Sequence, residues 1–448
     1  MVNSSKFLSK RNNTLSNRYE TEISEIFSEE YVFEIQLLIE SSLAQANAKN
    51  GFIEVSLANE IKQYCQKQYV KYDRVKELEQ EVNHDIMALV LAISEQCSTA
   101  GGAVHFGATS NDIKDTVLGL QLKKSREILI KSLKILIKTL INKTEQYSDI
   151  ICISRTHGQH ALPTTYGFKF ANFLNEFLLC YDQLVNASVN YGKISGAIGT
   201  YASFNTNKVE EFVLSKLGLQ PVAITTQVIP RSIFIPFLSA LVSITGVAER
   251  FAKEIRNLQR TEIGELFEEF GGKQVGSSTM PQKRNPHKSE RICGLARIIR
   301  SLFQVGAENI ALEHERDLTN SAPERIEFST MITLTHFILL ELINIISSLS
   351  LDSNNIEKNL RITKGRHNTE KLMLKLTSFI GRQEAHKLLS QLSNKDDFKH
   401  AIITNEIIRK YIPSIDKEID DILDPEQYIG LSKKKTKEII LLANSRLN

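Results

Sequence analysis

Apolar residues recur every three or four positions along most of this chain, with polar residues filling the spaces between. Over residues 113–147 the series Ile113, Val117, Leu120, Leu122, Leu129, Leu133, Leu136 and Leu140 runs with lysines interspersed, which is the spacing of an α-helix. Ser110 or Asp112 is placed to cap its start. Comparable patterns predict helices at about 165–190, 237–269, 287–308 and 323–350. The last opens on Ala322-Pro323 with Glu324 beside it, as a helix N-terminus prefers. No proline precedes Pro163, which favours long uninterrupted helices.

Helices of this length, roughly 30–50 Å at 1.5 Å per residue, can bury their apolar faces only against one another. The expected centre of the chain is therefore an elongated bundle. The stretch 333–349 is apolar on more than one face, which predicts burial against other subunits. The fold class expected is all-α, in three helical domains. Residues 1–109 form a smaller N-terminal unit whose first 17 residues read as a flexible polar tail. Residues 110–353 form the bundle. Residues 354–448 form a unit of shorter helices broken by Gly365, Gly381, Pro413 and Pro425.

Composition narrows this picture modestly. A chain of 448 residues fits two to three domains. Its 42% hydrophobic and 24% charged content is that of ordinary globular proteins. A net charge of +3, with both signs interspersed, gives no electrostatic case for nucleic acid or an anionic membrane as partner. The N-terminal residues lack the apolar segment of a signal peptide, and no apolar run is expected to span a bilayer. Cys65, Cys97, Cys152, Cys180 and Cys293 have no CxxC spacing, which suggests reduced thiols in a cytosolic protein.

One segment, 271–286, breaks the helical pattern. Gly271 and Gly272 open it, Pro281 and Pro286 punctuate it, and 276–286 read Gly-Ser-Ser-Thr-Met-Pro-Gln-Lys-Arg-Asn-Pro. Hydroxyls, cations and amide donors on such a loop suit a carboxylate whose charge grows during a reaction; an ordinary polar surface loop has the same composition. Four further polar clusters stand out: 83–85, 105–112, 155–160 with 163–165, and 314–325. His157 and His160 have HxxH spacing but no carboxylate partner nearby and no HExxH, so no metal is expected. Ser277 lacks a nucleophile elbow, which argues against a GxSxG hydrolase. The run His314-Glu315-Arg316-Asp317 reads equally well as a helix-end salt-bridge cluster.

Taken together the clusters say more. The loop resembles the GSSxMPxKxNP signature of the fumarase/aspartase superfamily, with every fixed position present. RTHGQHALPTTYG (155–167), VHFGATSNDIKDT (104–116), NHDIMA (83–88), EIRNLQRTEIGE (254–265), HERDLTNSAPER (314–325) and Arg18-Tyr19 resemble the adenylosuccinate lyase family, especially its archaeal-type branch. The resemblance runs in order over about 18–395, and the last fifty or so residues carry no motif that matches. It implies three all-helical domains, a bundle that assembles into a homotetramer, and active sites where three subunits meet. The implied reaction is β-elimination of fumarate with C–N cleavage, from adenylosuccinate to AMP and from SAICAR to AICAR in purine biosynthesis. It needs no cofactor or metal and takes place in the cytoplasm on a small nucleotide substrate.

The resemblance also implies roles. Ser277 matches the base and His157 the general acid. His84 matches a second imidazole, and Glu290 is placed to orient or charge one of the two. Lys283 and Asn285 match the clamp on the reacting carboxylate, with Ser278 and Met280 part of the same loop. Thr109 and Ser110 match hydroxyls on a substrate carboxylate, and Gln227 a substrate amide contact. Arg316, Ser321 and Arg325 match nucleotide-phosphate contacts, Arg18 and Tyr19 further nucleotide contacts, and His105 a nucleotide-side position. A serine becomes a base only where desolvation, cations and amides favour its ionised form. Two guanidiniums and a hydroxyl suit a phosphomonoester, and phosphate separates this substrate from those of fumarase and aspartase.

The chain departs from the family pattern at three places. Pro230-Arg231-Ser232-Ile233-Phe234 replaces PRDRYA-like residues, Asn83 replaces an Arg or His, and 365–371 read GRHNTEK in place of GLIMAEP. The departures bear on the purine or ribose side of the pocket. They leave open a sister lyase acting on another succinylated amine. A non-catalytic member with a binding role is a further reading, against which the retention of Ser277, His157, His84, Lys283 and Asn285 argues.

Overall fold

The computed structural model describes residues 18–270 and 279–447. Five long helices dominate: α6 (Ser110–Gln146), α7 (Tyr166–Asn186), α9 (Ile235–Leu258), α10 (His287–Glu308) and α11 (Ser321–Ser348). They follow the five periodic stretches of the sequence. Before them come α1 (Glu22–Ile26), α2 (Glu29–Lys49), α3 (Val55–Tyr64), α4 (Tyr72–Val82) and α5 (Asp85–Ser94); between α7 and α9 lies α8 (Lys208–Leu217). The C-terminal region holds α12 (Ser353–Arg361), α13 (Thr369–Ile380), α14 (Arg382–Ser393), α15 (Phe398–Ile403), α16 (Glu406–Tyr411), α17 (Ile415–Leu423) and α18 (Ser432–Leu447). The fold is all-α, with three two-stranded pieces among the described residues.

The chain divides into two compact units, each drawn from three segments. The first comprises Met1–Ser132, Cys180–Gly246 and Gly294–Leu340; the second comprises Leu133–Leu179, Val247–Cys293 and Glu341–Asn448. In the first unit, α3, α4 and α5 supply a core that includes Ile61, Val75, Leu78, Leu89 and Ile93, all buried. In the second, α17 puts Ile415, Ile419 and Ile422 on one face at helical spacing. They join Leu372, Leu376, Ile402 and Ile408 in a separate core.

Four sequence expectations need correction. The helix expected to reach residue 269 ends at Leu258, because Gly264 adopts φ +59° and Leu266–Phe267 (β5) pairs antiparallel with Ser350–Leu351 (β6). Neither Ser110 nor Asp112 stands as the expected N-cap of α6. Ser110 is its first residue, and the Asp112 carboxylate accepts the N–H of Thr109 at 2.9 Å, which fixes the entry to the helix. Residues 155–160 and 163–165, read only as a polar cluster, belong to a β-hairpin of β1 (Ile151–Thr156) and β2 (Gln159–Thr165).

The fourth concerns membranes. The segments Arg231–Leu258 and Ser321–Ser348 are long and apolar enough to cross one by length and composition. About half of each apolar window is buried within the chain, 50% and 56% respectively. The second also carries Glu327 and His336, both buried, the latter within 3.0 Å of Ser132. Buried polar groups with protein partners mark these as core helices.

Candidate active site

His157 owes its position to a two-residue turn. In β1–β2, Thr156 pairs with Gln159, so His157 and Gly158 alone make the connection. Both have positive φ, +54° and +76°. Such a turn matches the twist of the strands it joins, and histidine is one of the few non-glycine residues that tolerate it. The imidazole therefore projects exposed from a rigid tip. The hairpin is anchored within the second unit by Glu265, whose side chain is fully buried. Its carboxylate accepts from Arg155 Nη2, from the Tyr166 hydroxyl at 2.6 Å and from Asn359 Nδ2 at 2.8 Å. Burial, and then Glu265 itself, push the Tyr166 phenol well above its ordinary range, so it stays a donor.

His84 sits at a break between two helices in the first unit. Asn83 ends α4 in the left-handed conformation, φ +52°, and His84 caps α5, its Nδ1 accepting the N–H of Met87 at 3.1 Å. The departure at Asn83 thus has a backbone reason, since asparagine tolerates that conformation better than Arg or most other residues. With Nδ1 occupied as acceptor, the neutral ring carries its proton on Nε2. His105, also at positive φ (+62°), lies 2.6 Å by Nδ1 from the carboxylate of Glu40, which is buried. Burial opposes the charged imidazole, but Glu40 outweighs it and holds His105 above its ordinary value. Thr109 and Ser110 stand at the start of α6. Asp112 steadies that turn by pairing with Lys193 and accepting the N–H groups of Ser195 (3.1 Å) and Gly196 (3.2 Å).

Arg316, Ser321 and Arg325 line one cavity of about 470 Å³ in the first unit, together with Asp85, Asn111, Lys114 and Arg231. Ser321 and Arg325 lie four residues apart on the first turns of α11, hence on one face, at the positive end of a 28-residue helix. Apolar side chains including Val32, Phe33, Val75 and Phe328 continue the wall.

The cations here are not equivalent. Arg231 is buried and bonds Asp115 through both terminal nitrogens at 2.9 Å and Glu324 at 2.8 and 3.1 Å. Lys114 pairs with Asp85 at 2.8 Å. Arg316 instead donates from Nη1 to the Gln227 side-chain oxygen at 2.8 Å. With its amide oxygen turned toward the guanidinium, Asn111 accepts from Arg316 Nη1 and, at 3.3 Å, from Nε. The departure at 230–234 thus keeps a buried ionic anchor, while Ser232, Ile233 and Phe234 are not among the residues lining the cavity. The departure at 365–371 is also structural. Arg366 donates to the carbonyls of Thr363, Ser393, Lys395 and Asp396, and Asn368 to those of Ile422 and Asp424, all within the second unit.

Beyond this network lies Glu327, one turn along α11 from Glu324 and fully buried. Asn309 donates to it at 2.9 Å, and its other carboxylate oxygen has no partner among the described residues. Burial first, then the charge of Glu324, push its pKa up to about 8. A carboxyl group raised in this way holds its proton in the folded chain after the unfolded chain has lost it. Stability therefore falls as pH rises from the ordinary carboxylate range to about 8, with a slope approaching about 1.4 kcal/mol per pH unit. In Glu327→Gln this slope disappears. Melting temperatures at pH 6 and pH 9 should differ less in the variant than in the wild type; parallel profiles would refute the assignment.

The loop assignments are only partly covered. Ser277 and Ser278 lie outside the described residues. Met280, Lys283 and Glu290 are exposed, and Asn285 is half-buried. A turn joins Lys283 N–H to the Met280 carbonyl at 3.1 Å. Glu290 lies in the first turn of α10. Glu268 and Gln259, which the sequence reading gave no role, fix the base of the loop. The N–H and hydroxyl of Ser289 both donate to Glu268, Gln259 accepts the N–H of Glu268 at 3.0 Å, and Gln259 Nε2 donates to the Arg284 carbonyl at 3.1 Å.

The assigned residues fall into two groups. His84, His105, Thr109, Ser110, Gln227, Arg316, Ser321 and Arg325 belong to the first unit; His157, Met280, Lys283, Asn285 and Glu290 belong to the second. Arg18 is exposed and Tyr19 packs edge-on against Phe337 with centroids 5.1 Å apart; neither lines the cavity. Among the described residues no cluster of three or more potential metal ligands occurs.

Residues 14–300 match a family model described as Lyase, and 365–439 match one described as Adenylosuccinate lyase C-terminus. The second match extends the family likeness past residue 395, where no motif had been legible. The chain is 41% identical over 441 residues to an adenylosuccinate lyase of Archaeoglobus fulgidus, covering 96% of this chain and 98% of the relative. It is 42% identical over 429 residues to one of Pyrococcus abyssi, covering 94% and 95%. Among solved structures, a 3-carboxy-cis,cis-muconate lactonizing enzyme from Pseudomonas putida superposes with TM-score 0.86 at 26% identity, covering 97% of this chain and 100% of that one. A Mesorhizobium fumarate lyase superposes with TM-score 0.85 at 25% identity, covering 93% and 97%.

Proposed function

The chain belongs to the adenylosuccinate lyase family, and on that premise we propose how its residues perform the reaction. It is a fumarate-releasing carbon–nitrogen lyase, converting adenylosuccinate to AMP and SAICAR to AICAR in purine biosynthesis. The solved relatives show that one fold hosts several chemistries, so the substrate is argued from the site. The observation that carries it is the cavity wall of Arg316, Ser321 and Arg325 at the positive end of α11, suited to a phosphate.

The difficult step is removal of a proton beside a carboxylate, which builds a second negative charge on that group. In the proposed mechanism Ser277 takes the proton, while Lys283 and Asn285 stabilise the growing charge. Thr109 and Ser110 hold a substrate carboxylate. The C–N bond breaks as His157 protonates the leaving nitrogen, and fumarate departs. The exposed tip position of His157 supports its role as a proton donor. His84, proton on Nε2, supplies a second donor.

The proposed assembly is a homotetramer of three-domain subunits, bounded at 1–109, 110–353 and 354–448, with each active site shared between subunits. Exposed apolar side chains on the long helices, among them Ile135, Leu179, Ile298 and Leu340, support that burial. The proposed setting is the cytoplasm. Purified protein mixed with adenylosuccinate should release fumarate and shift the purine absorbance. Inertness toward adenylosuccinate, with turnover of another succinylated amine, would replace this reading with the sister lyase.

A further inference from the structure

We propose that Asn111 and Gln227 are positioning residues that hold Arg316 as an uncompensated cation for the substrate phosphate. The inference rests on the reading of Arg316 as a phosphate contact and explains why that arginine, among its neighbours, can serve. Five cations line the cavity: Lys76, Lys114, Arg231, Arg316 and Arg325. Arg231 is neutralised by two carboxylates, and Lys76 and Lys114 by one each. The polar partners of the Arg316 guanidinium are neutral amides, Gln227 at 2.8 Å on Nη1 and Asn111 on Nη1 and Nε. An amide oxygen fixes the plane of a guanidinium as a carboxylate does, without cancelling its charge. Asn111 is 3% exposed, in the first turn of α6, and the backbone N–H of Gln227 also bonds the carbonyl of Glu315, next to Arg316. Burial, with Arg231 adding to it, disfavours the charge on Arg316, while Asp115, Glu324 and Asp317 act the other way without an ion pair to it. An arriving phosphate dianion therefore finds an oriented guanidinium with its full charge, and has no internal ion pair to break.

The test replaces each amide by its carboxylate twin. In Asn111→Asp and Gln227→Glu the shape is kept and a neutralising charge is added. The start of α6 favours negative charge, and Gln227 lies outside the helices, so the two variants are independent guards against misfolding. Steady-state kinetics with adenylosuccinate, with its dephosphorylated counterpart succinyladenosine, and with inorganic phosphate as competing inhibitor give the readout.

We expect KM for adenylosuccinate to rise about tenfold to a hundredfold, the size of a lost hydrogen bond to a charged group. Inhibition by phosphate should weaken in step, while in Asn111→Asp the KM for succinyladenosine changes little. A merely structural role would move both substrates alike in Asn111→Asp, and that outcome, or wild-type KM and phosphate inhibition in both variants, overturns the proposal. Arg316→Ala separates the two levels. If it leaves the preference for the phosphorylated substrate intact, the phosphate reading itself fails. If it abolishes the preference while both carboxylate variants keep it, only the positioning role fails.

Discussion

Replacing His157 with asparagine should lower kcat about a hundredfold to ten-thousandfold, the usual contribution of a positioned general acid, while leaving the melting temperature nearly unchanged. The choice of asparagine follows from the backbone. His157 and Gly158 hold positive φ, and Asn-Gly is the favoured pair for such a turn, so the hairpin is kept and only the proton donor is lost. The side chain is exposed, so little packing goes with it. Turnover and a thermal melt on the same preparation decide the matter. A variant with wild-type kcat would remove His157 from the chemistry. A variant that loses kcat and melts early would show a structural role in its place.

Glu265→Ala carries the largest expected effect on stability. The carboxylate is fully buried and gathers Arg155, Tyr166 and Asn359. Removing it strands a largely buried guanidinium whose Nη1 already lacks a partner among the described residues, together with two donors. Breaking a buried pair from one side typically costs about 3–5 kcal/mol. Because Arg155 lies within the hairpin that carries His157 and Tyr166 directly follows it, kcat should fall as well. Glu265→Gln retains an acceptor for the tyrosine and should lose markedly less. Urea midpoints of the two variants make the comparison; equal losses would mean that volume rather than charge matters at this site.

Much of this was legible along the chain. Helix periodicity located all five long helices, because the i, i+3, i+4 pattern of Ile113, Val117, Leu129, Leu133 and Leu136 is a local property that needs no knowledge of what covers it. Arg316, Ser321 and Arg325 stood out because HERDLTNSAPER (314–325) resembles the family's pattern. The β-hairpin was hidden because Arg155 to His160 is polar throughout and its turn places histidine where asparagine is usual. The departure at 365–371 seemed to bear on the substrate, since GRHNTEK is far more polar than an apolar run. Its Arg366 and Asn368 prove to be donors to carbonyls of their own unit.

What the sequence by itself determined was the inventory: an all-α chain, the helix boundaries to within a few residues for most, and the acid, hydroxyl and guanidinium groups that elimination of fumarate from a phosphorylated substrate requires. Only the tertiary structure decided which of those groups are available. Arg231 and Arg316 look alike in the sequence, yet one meets Asp115 and Glu324 and the other meets Gln227 and Asn111. The same holds for Glu265, an unremarked acid until the strand and helices that supply its donors surround it. Spacing along a helix is written into neighbouring residues, whereas the charge a side chain keeps depends on partners tens to hundreds of positions away and on their joint removal from water.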